Sequence, residues 1–504
     1  MWETEGVKRV EGVAEGRCPV RRWQTPRRSS SRSIAVSPSS ETFDAIVIGA
    51  GQAGPALAER MSQAGWRVAV VERSRVGGTC VNTGCIPTKA MVASAHAAWV
   101  VREAARWGIR PPERFGVDLP AVVARKDRIS GQSRRNVEQW LRGMANVELV
   151  MGHARFIDPH TITVGERRLR ADRFFLNVGG RPAQPGVEGL DAVPWLTNAS
   201  IMALQELPRH LVVVGGSYIG LEFAQMFRRF GSAVTVVQRG PRLVPREDAD
   251  VAEALRAILE QEGLTIRTGA ECVKLAPSGE GVAVQVNCQT GEPEVHGSHV
   301  LIATGRRPNT DDLGLDLAGV RLDERGHVVV DDRLRSSVPH IWALGDCNGR
   351  GAFTHTAWND FEITAANLFD GADRGVGDRV VTYALYTDPP LARIGLSERE
   401  VRASGRAALI GTRPMTRVGR AIEKGETEGF IKLLVDADSK AILGATVLGV
   451  DGDEAVQSLL DVIASGRPYT EVTAGGVRIH PTVSELLPTV LQALKPLPPA
   501  TDPG

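Results

Sequence analysis

The stretch FDAIVIGAGQAGPALAERM, residues 43–61, decides how the first part of the chain folds. It opens with a continuous apolar run, which is typical of a strand buried inside a parallel sheet. Gly49, Gly51 and Gly54 follow directly and lead into a helical pattern over residues 52–64. In such a turn the first glycine allows a tight bend, the second lets the backbone approach a pyrophosphate, and the third lets the helix pack on the strand. The stretch therefore predicts a nucleotide-binding unit.

A second apolar run, residues 67–72, completes a strand–helix–strand unit. It ends at Glu72, 21 positions after Gly51, where a carboxylate can accept a hydrogen bond from a ribose hydroxyl. The N-terminus of the helix between the strands favours the negative charge of a phosphate. A glycine turn without a ligand is the alternative interpretation, but the strand, the helix and the acidic residue together favour nucleotide binding.

The same pattern recurs later, with strands over residues 211–214 and 233–237 and a helix over residues 218–230. Its turn reads GGSYIG, residues 215–220, so Ser217 stands where the middle glycine of the fingerprint is usual. Serine is small enough to leave the backbone accessible to a phosphate. Two such units predict an α/β fold with two Rossmann-like nucleotide-binding domains.

The end of the second strand in this later unit indicates which dinucleotide it binds. Gln238 and Arg239 stand there, and no carboxylate is placed to accept a ribose 2′-hydroxyl. Arg239, with Arg242 or Arg246, could pair with a 2′-phosphate, which favours NADPH over NADH. The alternative is that these arginines form a solvated surface in an arginine-rich chain.

Two similar segments border the second unit: residues 178–182 read VGGRP and residues 303–308 read ATGRRP. Each follows an apolar strand, which predicts that the chain crosses between domains twice. Beyond about residue 373 the glycine fingerprints cease, which predicts a third, α+β domain. The expected organisation is a disordered extension over residues 1–40, a discontinuous first nucleotide-binding domain over 41–182 and 311–372, a second over 183–310, a C-terminal domain over 373–495 and a tail over 496–504.

Composition and charge exclude several classes of protein. The 504 residues carry a formal net charge of +1, so no basic field indicates a nucleic-acid partner. No uninterrupted apolar stretch reaches the roughly 18 residues of a membrane span, and six cysteines do not make a disulfide scaffold in so long a chain. The Arg/Ser-rich residues 21–32 fit a floppy tail better than a transit peptide, because acidic residues precede them. Arginine greatly exceeds lysine, which is typical of a GC-rich bacterial genome. We therefore expect a cytoplasmic bacterial protein.

The most specific motif is GGTCVNTGCIPTK, residues 77–89, which contains Cys80 and Cys85. Buried structural thiols and half of a zinc site are two possible interpretations, although a zinc site needs a second ligand pair and none lies nearby. A redox disulfide needs two thiols in reach, a helix N-terminus that lowers a thiolate pKa, and an electron donor alongside. A helix that begins near residues 82–84, just after the first nucleotide unit, meets those needs. The motif therefore favours redox chemistry.

This motif resembles the redox-active disulfide signature of the class I pyridine nucleotide-disulfide oxidoreductases, which include glutathione reductase, dihydrolipoamide dehydrogenase and mercuric reductase. The resemblance extends over residues 43–495 and involves several independent motifs in the family's order. It implies an FAD domain, an NAD(P)H domain and a C-terminal α+β dimerisation domain. The chain is thereby expected to be a flavoenzyme.

The resemblance also implies a role for individual residues. Cys85 would be the thiolate beside the flavin, Cys80 the exchange thiol that meets the acceptor, and Tyr218 the aromatic gate over the nicotinamide pocket. Lys89 would lie by the flavin and pair with Glu222. The residues expected to bind FAD are Gly49, Gly51, Gly54, Glu72, Gly78, Thr79, Lys89, Gly179, Asp346 and Ala357. Those expected to bind the nicotinamide dinucleotide are Gly215, Gly216, Gly220, Gln238, Arg239 and Gly305.

The last motif, HPTVSE, residues 480–485, places Glu485 where it can orient the imidazole of His480. A lone histidine is more often structural than catalytic. The resemblance implies that His480 is the general acid/base for the exchange thiol and comes from the other subunit. A homodimer with a shared active site is therefore expected.

The resemblance leaves the electron acceptor open. Residues 353–362, 386–395 and 444–449 and the serine in the second fingerprint are similar to mercuric reductases and to reactive-chlorine-resistance copper reductases. Electrons are then expected to pass from NADPH through FAD to a Cys80–Cys85 disulfide, and on to a metal ion such as Hg(II) or Cu(II) or to an oxidant. No resident metal is expected, although a substrate metal could bind these two sulfurs briefly.

One departure from the mercuric branch concerns the cysteines. Mercuric reductases end in a vicinal cysteine pair, whereas no cysteine follows Cys347 in this sequence, so efficient Hg(II) turnover is not expected. Cys18, Cys272, Cys288 and Cys347 have no metal-binding spacing and are interpreted as incidental. The alternatives are a dihydrolipoamide dehydrogenase that works toward NAD⁺, a glutathione-type disulfide reductase, and a non-catalytic flavoprotein. Gln238 speaks against the first and the intact motif residues against the last.

Overall fold

The computed structural model describes residues 40–270, 273–286, 292–474 and 476–499, apart from the side chain of Val472. Several predictions fall outside these ranges. They concern the extension before residue 40, the tail beyond residue 499, and Cys18, Cys272 and Cys288. Within the described ranges, no helix combines the length and the hydropathy that a membrane crossing requires.

The first region contains the strand–helix–strand unit and the cysteine motif. The apolar run before the first glycine turn forms a strand buried on both faces, as the sequence predicts. The elements are β1 (Glu41–Ile48), α1 (Ala53–Gln63), β2 (Val68–Glu72), α2 (Gly78–Asn82), α3 (Cys85–Arg102), α4 (Leu119–Gly143), β3 (Val147–Met151), β4 (Ala154–Asp158), β5 (Thr161–Val164), β6 (Arg167–Leu176) and β7 (Gly180–Pro182).

The second region contains the later unit and a small antiparallel sheet. Its helix begins and ends where the sequence predicts, at Tyr218 and Phe230. The elements are β8 (Trp195–Leu196), β9 (His210–Val214), α5 (Tyr218–Phe230), β10 (Ala233–Val237), α6 (Ala249–Gln261), β11 (Thr265–Arg267), β12 (Val273–Ser278), β13 (Gly281–Val286), β14 (Glu294–Gly297), β15 (His299–Ile302) and β16 (Arg306–Pro308).

The third region returns to the first sheet and then forms the C-terminal domain. The elements are β17 (Ile341–Ala343), α7 (Thr354–Phe369), β18 (Thr382–Leu385), β19 (Leu391–Gly395), α8 (Glu398–Ala403), β20 (Ala408–Pro414), α9 (Gly419–Lys424), β21 (Phe430–Asp436), β22 (Ile442–Leu448), α10 (Gly452–Ala455), α11 (Leu460–Ser465), α12 (Tyr469–Thr473), α13 (Leu487–Gln492) and β23 (Lys495–Pro496). Short 3₁₀ helices lie at Ala104–Trp107, Leu190–Ala192, Ile201–Ala203, Gly345–Asn348, Val376–Asp378, Met415–Arg417, Val456–Leu459 and Ser484–Leu486.

Each strand–helix–strand unit belongs to its own sheet, and the C-terminal domain forms a third. In the first sheet, the order is β3-β2-β1-β6-β5-β4, and β17 pairs in parallel with β6. In the second, the order is β11-β10-β9-β15-β8 with parallel pairing throughout. A six-stranded antiparallel sheet, β18-β19-β22-β21-β20-β23, forms the C-terminal domain. The predicted α/β fold class, with two Rossmann-like sheets and a C-terminal α+β domain, is confirmed.

The two crossing segments pair with each other. Strands β7 and β16 form an antiparallel ribbon in which Gly180 faces Pro308 and Pro182 faces Arg306. The chain thus leaves and re-enters the first region side by side. The exact domain boundaries stay a prediction, and at the C-terminal one β23 extends to Pro496, which pairs with Leu409.

Candidate active site

A cavity of about 2480 Å³ runs between the two glycine turns, the cysteine motif and the start of α7. This volume exceeds the roughly 300–1,000 Å³ of a pocket for one small ligand, so the cavity has room for more than one such ligand. Most of the site residues expected from sequence line it. Gly54, Gly220, His480 and Glu485 do not.

The first glycine turn packs so closely on neighbouring backbone that its glycines leave no room for a side chain. Gly49 has a φ of +103°, and an added Cβ would lie 2.3 Å from the carbonyl oxygen of Asn177. Gly54 lies behind the turn, where a Cβ would be 2.4 Å from the Gly49 carbonyl oxygen, so its absence of a side chain serves packing. Gly51 and Gly78 also approach closely, because a Cβ on Gly78 would lie 2.8 Å from the Cα of Gly51.

Glu72 holds this turn through both carboxylate oxygens. One oxygen accepts from the backbone N–H of Ala50 at 3.0 Å and the other from Ser74 at 2.8 Å. Each carboxylate oxygen has a second lone pair, and Glu72 lines the cavity, so a ribose hydroxyl bound there can donate to it. The glycine turn, the N-terminus of α1 that follows it and this acceptor fit the pyrophosphate and ribose of FAD.

Asp346 lies at the other side of the same chamber, in the 3₁₀ turn Gly345–Asn348. Burial raises the pKa of its carboxyl group, and Arg306 opposes that effect from 3.6 Å. Arg306 also donates to the Thr79 hydroxyl at 3.3 Å. A partly buried carboxyl group that lines the cavity can accept hydrogen bonds from a hydroxyl-bearing chain such as the ribityl chain of a flavin. Ala357 and Gly179 line the cavity as well.

The second glycine turn repeats the first closely. Gly215 has a φ of +123°, and its added Cβ would lie 2.4 Å from the carbonyl oxygen of Ala303. A Cβ on Gly220 would lie 1.9 Å from the Gly215 carbonyl oxygen. Gln238 takes the place of the carboxylate, and its side-chain oxygen accepts from the Gly216 N–H at 2.8 Å. Because the amide oxygen is used in this way, the amide NH₂ group remains to donate.

The arginines proposed for a 2′-phosphate divide into two groups. Arg239 and Arg246 are exposed and line the cavity near Gln238, as does Gly305 on the opposite side. Arg242 is exposed but does not line the cavity. The structure therefore places only the first two where a nucleotide bound at this turn could meet them.

The two cysteines lie at the junction of α2 and α3, with Cys85 at the first position of α3. The Cys80 thiol donates to the Cys85 sulfur, the Thr354 hydroxyl lies 3.1 Å from that sulfur, and Lys89 adds positive charge. These contacts lower the pKa of Cys85 to about 6. The contact with Cys85, together with burial, raises the pKa of Cys80. At neutral pH the reduced pair therefore holds a thiolate at Cys85 and a thiol at Cys80.

Lys89 and Glu222 form the ion pair that the resemblance implies. The Lys89 ammonium lies 2.9 Å from both oxygens of Glu222, whose side chain is only 8% exposed. The backbone N–H of Tyr386 donates to the same carboxylate at 2.9 Å, and the Tyr386 ring lies 4.4 Å from the ammonium nitrogen. The pair thus fixes a positive charge near the thiolate, one turn along α3 from Cys85.

Tyr218 stands at the start of α5 among other aromatic side chains. Its ring packs edge-on against Tyr383 at 5.6 Å and against Phe353 at 6.1 Å. All three rings line the cavity between the second glycine turn and the cysteines. The role of this ring as a gate over the nicotinamide pocket stays a prediction.

His480 and Glu485 pair with each other but lie apart from the cysteines of their own chain. The His480 Nδ1 atom is 3.0 Å from both Glu485 oxygens, while the imidazole is 78% exposed. Its neighbours Val477 and Ile479 are 101% and 78% exposed. Exposed apolar side chains of this kind are typical of interaction surfaces, and the contribution of His480 to a shared active site stays a prediction.

Sequence reasoning missed several contacts around the thiols. In the sequence, Thr354 belongs to a stretch that carries the resemblance, and no pattern assigns a role to Arg306 or Tyr386. Each reaches the site from more than a hundred positions away along the chain, so no local spacing could reveal it. Cys347 was interpreted as incidental, and its complete burial, which raises its pKa to about 12, fits an unreactive thiol.

Comparisons with known proteins agree with this geometry. The pyridine nucleotide-disulphide oxidoreductase family model matches residues 43–360, and the model of that family's dimerisation domain matches residues 381–491. The chain belongs to this family of enzymes and includes its dimerisation domain. The family depends on FAD and NAD(P)H.

Three relatives show where the chain stands within the family. It is 34% identical to the probable pyridine nucleotide-disulfide oxidoreductase RclA of Escherichia coli, over 90% of this chain and 99% of that one. It is 35% identical to a mercuric reductase of Streptomyces lividans, over 84% and 90%. It is 34% identical to a dihydrolipoyl dehydrogenase of Thermus scotoductus, over 90% and 98%.

Solved structures include a Cu(II) complex of the HOCl-induced flavoprotein disulfide reductase RclA from Escherichia coli. It is 33% identical, superposes with a TM-score of 0.81, and covers 90% of this chain and all of that one. The predicted family and enzyme class are confirmed. The acceptor of this chain is not decided by these relatives, because they differ among themselves.

Proposed function

We propose that this enzyme uses NADPH and FAD to keep the Cys80–Cys85 pair reduced and passes the electrons to a metal ion of the Cu(II) or Hg(II) type. The observation that carries the proposal is that the two thiols lining the cavity differ in their protonation. Cys85 is stabilised as a thiolate and Cys80 retains its proton. When bound, the two cofactors supply the electron pair that opens a disulfide between these sulfurs.

The chain's own residues prepare each partner for this step. Glu222 holds the Lys89 ammonium, which favours the thiolate at Cys85. Thr354 donates its hydroxyl hydrogen to that thiolate. Cys80, as the resemblance implies, is then the sulfur that meets the acceptor, while these contacts hold Cys85 as the thiolate. Soft thiolate ligands suit copper and mercury ions.

The enzyme works as a homodimer in this proposal. His480 does not line the cavity of its own chain and is exposed and oriented by Glu485. A second subunit that covers Val477 and Ile479 would bring its own imidazole to the Cys80 thiol, where it can accept or return a proton. A solution measurement should therefore find a dimer, and a monomeric variant should lose activity.

NADPH is the proposed donor because the second turn presents an amide and two arginines instead of a carboxylate. Gln238 lies at the turn, and Arg239 and Arg246 line the cavity beside it. A 2′-phosphate can accept charge-assisted hydrogen bonds from such a set. NADH remains a possible second donor.

The acceptor is tested by following NADPH oxidation by purified protein without oxygen. Cu(II), Hg(II), oxidised glutathione and lipoamide are offered separately. We expect turnover with a metal ion and little with either disulfide. Turnover with a disulfide alone would replace the proposal by a disulfide reductase, the second candidate, which the similarity to dihydrolipoyl dehydrogenases keeps in view.

The matched variant is Cys85→Ser. It should remove acceptor reduction while the protein stays yellow and loaded with FAD, because the serine keeps the packing at the first position of α3. Cys347→Ser is the control, because that buried thiol lies outside the cavity lining. A Cys85→Ser protein with full activity would refute the dithiol mechanism, whichever acceptor is used.

A further inference from the structure

Tyr218 does not stand alone at the gate: its hydroxyl shares an acceptor with a second tyrosine. The Tyr383 hydroxyl donates to Oε1 of Glu247 at 2.8 Å, and the Tyr218 hydroxyl donates to the same oxygen at 3.4 Å. The shorter bond has the ordinary length for two oxygen atoms, whereas the longer one is weak. Tyr383 thus holds the better share of the acceptor.

The acceptor itself is fixed by the C-terminal domain. Oε2 of Glu247 accepts from Arg393 through Nε at 2.9 Å and Nη2 at 2.6 Å, and both side chains are almost fully buried. Tyr383 and Arg393 are direct partners across β18 and β19, so one pair of strands presents both groups to the carboxylate. The carboxylate therefore cannot follow Tyr218 when the gate moves.

Both tyrosines stay protonated over the working range of pH. Burial, followed by the negative charge of Glu247, raises the pKa of Tyr218 and that of Tyr383. Each hydroxyl therefore remains a donor, and the two compete for one oxygen. An oxygen that already receives one strong hydrogen bond attracts a second donor less.

We infer that Glu247 and Tyr383 are positioning residues that set how firmly Tyr218 is held closed over the nicotinamide chamber. The inference rests on the proposed function, in which Tyr218 must move aside for the nicotinamide ring. Tyr383 keeps the hydrogen bond between Tyr218 and Glu247 weak, because Tyr383 itself makes the shorter hydrogen bond to the same oxygen. Without its hydroxyl, the buried Oε1 would pull Tyr218 inward and close the gate more tightly.

The test uses the single variants Tyr383→Phe and Tyr218→Phe and the double variant, all FAD-loaded. NADP⁺ is titrated by calorimetry, so that binding is measured without turnover. Tyr383→Phe should weaken binding about fivefold, the effect of one ordinary hydrogen bond. Tyr218→Phe should change it by less than about twofold, since only a weak bond is lost, and adding Tyr383→Phe to it should have no further effect.

The four tyrosines of the chain allow a second, spectroscopic readout. In protein labelled with 3-fluorotyrosine, each single variant removes one fluorine signal and so assigns it. Saturating NADP⁺ should move the Tyr218 signal in the wild type, and a given NADP⁺ concentration should move less of it in Tyr383→Phe. Tyr469→Phe is the control, because Tyr469 begins α12 outside the cavity lining.

The outcomes separate the inference from the function beneath it. If the wild-type protein neither binds NADP⁺ nor is reduced by NADPH, the proposed function and the inference about Tyr218 are both refuted. If the wild-type protein does both, and Tyr383→Phe binds NADP⁺ as tightly as the wild type or more tightly, only the inference about Glu247 and Tyr383 is refuted. Equal effects of Tyr383→Phe in the presence and absence of the Tyr218 hydroxyl would likewise show that the two tyrosines do not compete. All three variants keep the Arg393–Glu247 ion pair, so misfolding is not expected.

Discussion

The two strand–helix–strand units have the same backbone and differ in the group that closes the turn. The first glycine of each turn has a positive φ, +103° at Gly49 and +123° at Gly215, and faces a carbonyl oxygen across the sheet. A side-chain oxygen at the end of the second strand then accepts from the turn, Glu72 in one unit and Gln238 in the other. The same hydrogen bond is therefore made by a charged group in one unit and a neutral group in the other.

That difference shows which part of the motif is structural and which part selects the ligand. The first and third glycines shape the backbone in both units, and only the middle position differs, with Gly51 in one and Ser217 in the other. The closing side chain decides the charge that a bound ribose meets, since a carboxylate favours hydroxyl groups and repels a 2′-phosphate. A fingerprint read only from its glycines would not distinguish the two chambers.

The largest effect should come from filling the space behind the turns. Gly220→Ala places a Cβ 1.9 Å from a backbone oxygen and should lower the free energy of unfolding by about 3 kcal/mol, measured by chemical denaturation. Gly54→Ala is the matched change in the first unit. If the units are equivalent, Gly54→Ala releases FAD, while Gly220→Ala keeps it and loses NADPH binding. Loss of FAD from both would end the equivalence.

The next effect concerns the closing side chain. Gln238→Glu gives the second unit the carboxylate of the first and should shift the ratio of kcat/KM for NADPH and NADH toward NADH by about a hundredfold, because a charged group in such contacts contributes a few kcal/mol. Steady-state kinetics with both nucleotides measures it. Glu72→Gln, the reciprocal control, should weaken FAD retention and leave the nucleotide preference unchanged. An unchanged preference in Gln238→Glu would mean that selectivity lies elsewhere.

A smaller effect should follow from Arg239, whose counterpart in the first unit, Arg73, pairs with Asp312. Arg239→Ala should lower kcat/KM for NADPH about tenfold through loss of a charge-assisted hydrogen bond, with NADH unaffected. Arg242→Ala serves as the control because it is equally exposed but does not line the cavity. Equal losses with both nucleotides would indicate a general electrostatic effect.

The two thiols follow the first unit and have no counterpart after the second. Thr354 is expected to set the pKa of one of them, Cys85. Cys85 has a pKa lowered to about 6, chiefly by the Cys80 contact and then by Thr354 and Lys89. Because Thr354→Val removes a donor to the thiolate, the pKa should rise by about one unit, so the thiolate would form at higher pH. The alkylation rate of the reduced protein against pH measures this change. Thr354→Ser should restore the original profile, and a profile unmoved by valine would exclude the contact.

The smallest effect is expected at the serine that replaces a glycine. Ser217 precedes α5, and its side chain makes no capping hydrogen bond there. Ser217→Gly, which matches Gly51 of the first unit, should change KM for NADPH by less than about twofold, since glycine at this position costs only a few tenths of a kcal/mol. A large change would show that the hydroxyl contacts the nucleotide.

The sequence predicted the parts of the molecule that depend on local pattern. Helix α5 and strand β10 have the predicted bounds because apolar periodicity and a fixed glycine turn define them. The short helix α2 was not foreseen, since five residues that begin with Gly78 have little helical preference of their own. Its first residue, Gly78, packs closely on Gly51 of the first turn, a tertiary contact that local pattern does not display.

The site was predictable to the extent that motifs carry it. The cysteines, the Lys89–Glu222 pair and both turns line one cavity, whereas the roles of these residues stay predictions until tested. The contacts of Thr354 and Glu247 could not be predicted, because they join segments that are distant in sequence and depend on how whole sheets pack. Such contacts carry no periodicity or spacing that a single sequence displays.

The ribbon of β7 and β16 has a consequence for the history of the chain. Gly180 and Pro308 are partners in this ladder, so the backbone leaves and returns within about 5 Å, the distance between neighbouring strands. A segment whose ends are adjacent can be replaced by another without stretching the body that it leaves. A single recombination event at this point could therefore exchange one electron-donor module for another, while the sheet that carries the thiols remained as it was.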